Sequence, residues 1–472
     1  MLLIPDPLLC SGRPCVFDSA TQCWWTYSDL AGRVRQLASS LSGPRRLVFC
    51  FCQNDAGTIV NYLACLASGQ PVALLDSAMA AEAKQELVAL YRPEAFLATT
   101  DESWIPVRYE CSAARRGRLW LCNEAADPSL HPDLAVMLST SGTTGSPRFV
   151  RLSSRNILAN AESIIAALGI TCADRAIASL PFHYSYGLSV LNTHLLSGAS
   201  LVTTTDGLLT QRFWDAVRRE ECTSFAGVPY SYQILDRLGI DSLNVPSLRT
   251  MTQAGGKLNP ELTSRFQALM QRRNGRFFVM YGQTEATARV AVLPATELPR
   301  KLGAAGLPIP GGRFQIKAGD GRLTSEPGVE GELVYSGPNV MMGDATCRAD
   351  LAQGDALQGV LETGDLCRLD DEGYLFVIGR MKRDTKIFGL RINLDEVEAI
   401  LKVHGPTAVV SAPDKLVVFC EYGDAESLSG LQRQLAARLN INYRAIEFHR
   451  LDKLPVNQSG KADYASLRGM HG

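Results

Sequence analysis

The sequence predicts an α/β fold with substantial parallel sheet, followed by a small α+β ending. Three observations carry this. Short apolar runs such as Arg46-Leu47-Val48-Phe49-Cys50-Phe51 and Phe277-Phe278-Val279-Met280 read as buried strands. They alternate with helical periodicities, and strands alternating with helices argue for parallel pairing. The last ninety or so residues carry their own helix and strand pattern, enough for a separate small domain.

The elements justify themselves in order. After Ser153 and Ser154, apolar Ile157, Ile164, Ile165 and Leu168 recur at helical spacing, with a serine available as N-cap. Beyond residue 380 the pattern predicts a helix starting near Asn393, with Val397, Ile400 and Leu401 on one face. A strand over Lys415–Glu421, a second helix over Leu428–Leu439 and a final turn follow. Residues 380–472 hold 14 Lys plus Arg against 11 Asp plus Glu, so a net +3 tail follows a −4 body.

Composition bounds the function. The chain has 472 residues, a formal net charge of −1, 46% hydrophobic and 20% charged residues. That balance is ordinary for a globular protein and excludes nucleic-acid binding through bulk positive charge. Thirteen cysteines without a CxxC read as reduced, mostly buried thiols of a cytoplasmic protein. The N-terminus has no basic region leading into an apolar run, so no signal peptide is expected. Between Arg175 and Asp206 lie 30 residues without a formal charge, but Pro181, His183, Gly187, Asn192, His194 and Gly198 interrupt them. A membrane span needs about 20 predominantly apolar residues, so this is read instead as a pocket wall.

The most informative segment is Ser139-Thr140-Ser141-Gly142-Thr143-Thr144-Gly145-Ser146-Pro147-Arg148. Glycines let backbone N–H groups approach a ligand, hydroxyls donate further bonds, and the arginine adds charge, a set suited to a polyphosphate. The GxxxxGK[ST] spacing of a P-loop is absent. By composition alone a solvated Ser/Thr/Gly loop would serve as well.

The order of residues adds to this, because STSGTTGSPR resembles the signature loop of the adenylate-forming enzymes. These comprise acyl-CoA synthetases, luciferase-like enzymes and peptide-synthetase adenylation domains. The resemblance runs along nearly the whole chain. It takes in Trp25-Thr26-Tyr27-Ser28-Asp29-Leu30, Gly69 to Asp76, Pro181-Phe182-His183-Tyr184-Ser185-Tyr186-Gly187 and Tyr281-Gly282-Gln283-Thr284-Glu285. It continues through Thr363-Gly364-Asp365, Gly379-Arg380-Met381-Lys382-Arg383 and Asn457-Gln458-Ser459-Gly460-Lys461. It implies a large, multi-subdomain N-terminal domain (1–379) of mixed sheets flanked by helices. A small mobile α+β domain (380–472) would follow, hinged near Lys382.

The resemblance also implies roles. ATP and Mg²⁺ would be the cofactors, with Ser139, Thr140, Ser141, Gly142, Thr143, Thr144, Gly145 and Arg148 around the phosphates. The family usually has lysine where Arg148 stands. Thr284 would contact phosphate and Glu285 would hold the metal. Tyr281 would lie against the adenine ring, Gly255 and Gly256 would let backbone approach the adenine and the acyl group, and Asp365 would accept from the ribose hydroxyls with Arg380 close by. Lys461 would offset charge in the adenylation step. Lys386 and Gly389 would serve thioester formation. The cationic stretch Arg380–Arg391 would dock an anionic acceptor, either CoA or a carrier protein, though a solvated face explains it too. His183, Gly227 and Tyr230 would line the acid pocket.

Adenylation domains for α-amino acids carry an aspartate in the element that here reads Pro181-Phe182-His183, and a buried ammonium without a counter-charge is expensive. The expected activity is therefore an AMP-forming acid–thiol ligase for a fatty, hydroxy or aryl acid. The alternatives are amino-acid adenylation onto a carrier protein, luciferase-type oxidation, and a degenerate fold kept for interaction. No nucleic-acid partner and no membrane span are expected.

Overall fold

The computed structural model describes residues 3–100, 102, 104–105, 109–114, 117–122, 130–140, 148–239, 244–380, 384–387, 390–412, 415–439, 441–457 and 462–470. It is a mixed α/β structure with two compact units. One comprises the described residues of Met1–Gly142, Ser146–Arg313 and Tyr335–Leu361; the other those of Phe314–Val334 and Glu362–Gly472.

The first unit is built on two large sheets. In the eight-stranded sheet, Leu134–Thr140, Val72–Asp76, Val48–Cys52 and Ala95–Ala98 run parallel. The run Val48-Phe49-Cys50-Phe51-Cys52 is buried along its whole length. A strand covered on both faces must be apolar on both, so it shows no alternation. Helix Ala56–Ser68 starts with Asp55 accepting from Thr58 N and ends at Gly69 in the left-handed region.

The nine-stranded sheet positions the chemistry. Its neighbouring strands Arg276–Tyr281, Thr250–Gln253, Ser224–Gly227 and Arg175–Ile177 are parallel, so their carboxyl ends share one edge. Ligands of open parallel sheets bind outside that edge, where the following loops gather. Those loops carry His183, Val228-Pro229, Gly255-Gly256 and Thr284-Glu285. The antiparallel strand Ala291–Leu293 then closes on Arg276–Tyr281.

The helix expected after Ser153 spans Ser154–Leu168, with Ser153 accepting from Asn156 N and Asn156 answering in a capping box. The 30 uncharged residues form a short strand, a loop, the helix Ser185–Leu196 and the strand Ser200–Val202. Among the described residues no helix is long and apolar enough to cross a membrane. All thirteen cysteines are free.

The second unit carries a five-stranded sheet, the hairpin Asp384–Ile387/Leu390–Asn393, and a three-stranded sheet of Thr407–Ala412, Lys415–Cys420 and Ile446–Arg450. Helices Leu394–Leu401 and Ala425–Leu439 bury Val397, Leu401 and Leu435 against Val409, Val418 and Ile446. The second helix begins three residues before its expected start at Leu428, because Asp424 caps it, accepting from Ser427 N at 2.9 Å.

Candidate active site

Two constraints shape the loop after strand Arg276–Tyr281. A Cβ on Gly282 would stand 1.8 Å from Ala288 O, so only glycine lets the chain double back here. Thr287 (φ 56°) and Ala288 (φ 101°) then adopt left-handed backbone without being glycine. Such residues store strain and persist only where surroundings over-determine them. The buried Asn339 does so: its amide donates to Ala286 O (2.8 Å) and Arg289 O (2.9 Å), and Thr287 Oγ1 donates to Asn339 O (2.6 Å). Asn160 Nδ2 donates to Arg289 O as well, at 3.1 Å.

The clamped turn presents Thr284 and Glu285. Thr284 Oγ1 lies 3.1 Å from Ser185 Oγ at the start of helix Ser185–Leu196. Glu285 Oε1 accepts from Arg148 Nη2 at 3.2 Å, while Arg148 Nη1 pairs with Asp344 Oδ2, also at 3.2 Å. Strand pairing sets this cluster up, because Arg148–Ser153 lies between Leu134–Thr140 and Gly343–Ala345. Arg148 Nε, Asp344 Oδ1 and Gln283 Nε2 are buried without a hydrogen-bond partner. Unmet buried donors and acceptors of both signs mark a place built for a further polar group. Donors suit phosphate oxygens, and the carboxylates suit a hard cation. Among the described residues no group of three or more His, Cys, Asp or Glu could hold a metal by itself. Glu285 would therefore hold Mg²⁺ together with phosphate oxygens, the usual arrangement for that ion.

The loop Ala178–Tyr184 is held by Asn54. Its amide donates to Ala178 O (3.0 Å) and Leu180 O (2.9 Å) and accepts from Phe182 N (3.1 Å). His183 is half-buried in the turn that follows, and Tyr184 lies over Gly255, where an added Cβ would meet its Oη at 2.7 Å. Gly255 has φ 84°, and Gly256 O accepts from Gln253 Nε2 at 2.7 Å. Tyr281 is half-buried at the strand end. Gly227 is crowded by Phe225, Ser231 and Tyr232, which a Cβ would meet at 2.9–3.0 Å. Tyr230 is 42% exposed on helix Pro229–Leu238; Tyr232 is the buried tyrosine there, donating to Thr252 O at 2.7 Å.

In the second unit Asp365 is 2% exposed and accepts from Arg380 Nε at 2.9 Å. The antiparallel register sets Asp365 opposite Arg380, and Thr363 Oγ1 donates to Leu333 O to fix the turn. Lys386 lies in the strand Asp384–Ile387, its side chain outside the described residues. Ser141 to Gly145, Lys382, Gly389 and Lys461 also lie outside them, as does the side chain of Thr140, whose strand partner is Arg148; Ser139 is exposed opposite Phe149. Sequence reasoning did not reach Asn54, Asn339, Asp344 or Arg289. Of these only Arg289 left a signal, a lone cation entering the apolar run Val290-Ala291-Val292-Leu293.

The AMP-binding enzyme family matches residues 10–343, most of the chain. The chain belongs to the AMP-binding enzymes. Use of ATP comes with that membership. The chain is 28% identical to the 2-succinylbenzoate–CoA ligase of Bacillus velezensis, over 92% of this chain and 89% of that one. It is 31% identical to the medium-chain fatty-acid–CoA ligase of Escherichia coli, over 71% of this chain and 61% of the other. Its fold matches the o-succinylbenzoate coenzyme A synthetase of Bacillus subtilis in complex with ATP and magnesium ion. That match has a TM-score of 0.74 at 23% identity and covers 97% of this chain and 96% of that one.

Proposed function

We propose that this AMP-binding enzyme is an ATP-dependent, AMP-forming acid–thiol ligase that joins a carboxylic acid to CoA. A carboxylate oxygen attacks the α-phosphorus of ATP and the bond to the β-phosphate breaks, releasing pyrophosphate. The thiol sulfur then attacks the acyl carbon, and AMP leaves with the C–O electrons. The observation that carries the reading is the Glu285–Arg148–Asp344 cluster, with its unmet polar atoms, at the carboxyl edge of the parallel strands.

The chain's own groups divide the work. Arg148 and Thr284 bind phosphate oxygens and hold them in line. Glu285 would hold Mg²⁺, which would supply charge stabilisation on those oxygens. Asp365 accepts from the ribose hydroxyls, oriented by Arg380. Lys461 steadies the charge that develops between the carboxylate and the α-phosphate. Residues 380–472 turn about a hinge near Lys382, after which Lys386 serves the thiol step. The acid carries no α-amine: the pocket wall between Arg175 and Asp206 has no carboxylate, and a buried ammonium would go unpaired. CoA is the acceptor in the named relatives, and the cationic stretch Arg380–Arg391 suits its phosphates. Thirteen free thiols suit the reducing cytoplasm.

The test is pyrophosphate release over a panel of fatty, aryl and hydroxy acids and amino acids, with CoA and a phosphopantetheinyl carrier protein as acceptors. The expected result is release with acids lacking an α-amine and thioester formation on CoA. Activation of amino acids alone would overturn it.

A further inference from the structure

Beyond helix Ser185–Leu196 the first unit contains a small cavity, with about 40 Å³ of free space. Its walls include Ile164, Val190, Phe225 and Met280. The unusual member of the lining is Arg289, which is 1% exposed. Its guanidinium carbon stands 4.6 Å over the ring of Tyr186, and its Nε has no hydrogen-bond partner. Among the described residues no carboxylate pairs with it; the ionisable groups acting on it are Tyr186 and Tyr184, and burial lowers its pKa from the ordinary value.

A buried cation is normally paired, because the low dielectric penalises an isolated charge. The π-face of Tyr186 offsets part of that penalty. It supplies no acceptor for the guanidinium N–H groups, which form a planar fork matched to a carboxylate. Other polar groups of the cavity have partners. Arg276 donates to Leu168 O (2.8 Å) and to Thr250 Oγ1 (3.3 Å). Asp174 accepts from Thr171 N (2.8 Å) and Thr223 Oγ1 (3.3 Å). His194 is kept neutral by burial, with Nδ1 2.8 Å from Val190 O. Arg289 alone among these makes no hydrogen bond with its side chain.

Size and place complete the case. A water needs roughly 10–15 Å³ of such space, so the cavity admits a group of about three heavy atoms, the size of a carboxylate. Arg289 ends the turn that begins with Thr284 and Glu285, and Tyr186 follows Ser185, whose hydroxyl touches Thr284. The cavity thus shares two elements with the candidate site, the helix that begins at Ser185 and the turn that begins at Thr284.

We propose that this cavity is the inner end of the acid pocket, and that Arg289 receives a second carboxylate, at the end of the substrate remote from the reacting one. The inference deepens the ligase reading and rests on it. The preferred acid is then a dicarboxylic acid, its distal charge paired with Arg289.

The experiment measures kcat/KM for pyrophosphate release by the full-length enzyme with ATP, Mg²⁺ and CoA. Matched acids are compared on aliphatic and aromatic skeletons: a diacid, its mono-amide and its methyl-terminated analogue. The wild type is expected to favour the diacid by at least about 100-fold, as a site built to bond a polar group rejects partners lacking it. Arg289→Met should erase or reverse that ratio while retaining turnover of the methyl-terminated acid, and Arg289→Lys should keep part of it. A wild type that prefers the neutral acids, or an Arg289→Met variant with an unchanged ratio, overturns the proposal. Should Arg289→Met fail to fold, the wild-type ratio decides alone. Release with neutral acids only sinks this proposal and leaves the ligase reading standing; release with no acid sinks both.

Discussion

Asn339→Ala is the sharpest test of how the site is held. The wild-type amide makes three hydrogen bonds, to Ala286 O, to Arg289 O and from Tyr335 Oη (2.8 Å). After truncation Arg289 O keeps the donor on Asn160, but Ala286 O and Tyr335 Oη each lose a bond. A buried polar group left unmet costs about 1–3 kcal/mol, and Ala286 O is such a group, so the fold should lose about 1–3 kcal/mol. The left-handed residues Thr287 and Ala288 hold a further 1–3 kcal/mol each, roughly, that relaxation would release. Relaxation moves Thr284 and Glu285, and a displacement near 1 Å can cost about 100-fold in rate. Urea unfolding and the kcat of pyrophosphate release measure the two effects. Released strain offsets part of the stability loss, so kcat decides: a kcat within about twofold of wild type would refute the clamp.

Four further outcomes are expected. Gly282→Ala forces a methyl group against Ala288 O, and should reduce adenylation by about 100-fold, read as acid-dependent ATP–pyrophosphate exchange. Glu285→Gln removes the charge proposed for the metal and should raise the Mg²⁺ concentration for half-maximal exchange by about tenfold; an unchanged Mg²⁺ curve would remove Glu285 from that role. Lys461→Ala should abolish exchange while ATP binding, followed by calorimetry, persists, whereas Lys386→Ala should spare exchange and slow only thioester formation.

Much of the architecture was legible because local signals agreed with the global fold. Ser153 announced its helix through hydroxyl capping, and the unbroken run Val48–Phe51 announced a strand covered on both faces. Motif order placed Thr284, Glu285 and Gly255 in loops, and the parallel sheet explains why these loops meet: their strands end on one edge. The supports were not legible. Asn54 and Asp344 act on partners more than a hundred residues away and Asn339 on partners 50 and 53 residues away, and an isolated Asn or Asp carries no periodicity. Gly227 was legible as a glycine but not for its reason, the ring and side-chain atoms that crowd it. The pocket wall was read as uncharged from Arg175 to Asp206, and that remains true of that stretch. The charge arrives from a different segment, on Arg289.

Where that charge sits gives the loop a second meaning. Residues 284–289 carry the proposed reaction-centre groups at one end and the buried cation at the other, with Asn160 and Asn339 both fixing Arg289 O. A flexible loop would let the cation follow substrates of many lengths. A turn strained at Thr287 and Ala288 and bonded from both sides cannot. The separation between the two charges a substrate must match is then set by backbone, and selectivity for the length of a diacid should be sharp. One methylene too many or too few in a fitted pocket is worth about 1–3 kcal/mol, or roughly 10- to 200-fold in kcat/KM. Asn339→Ala should blunt that optimum as well as slow the chemistry. A buried arginine serving only to fill space would leave the length profile as flat in the wild type as in the variant.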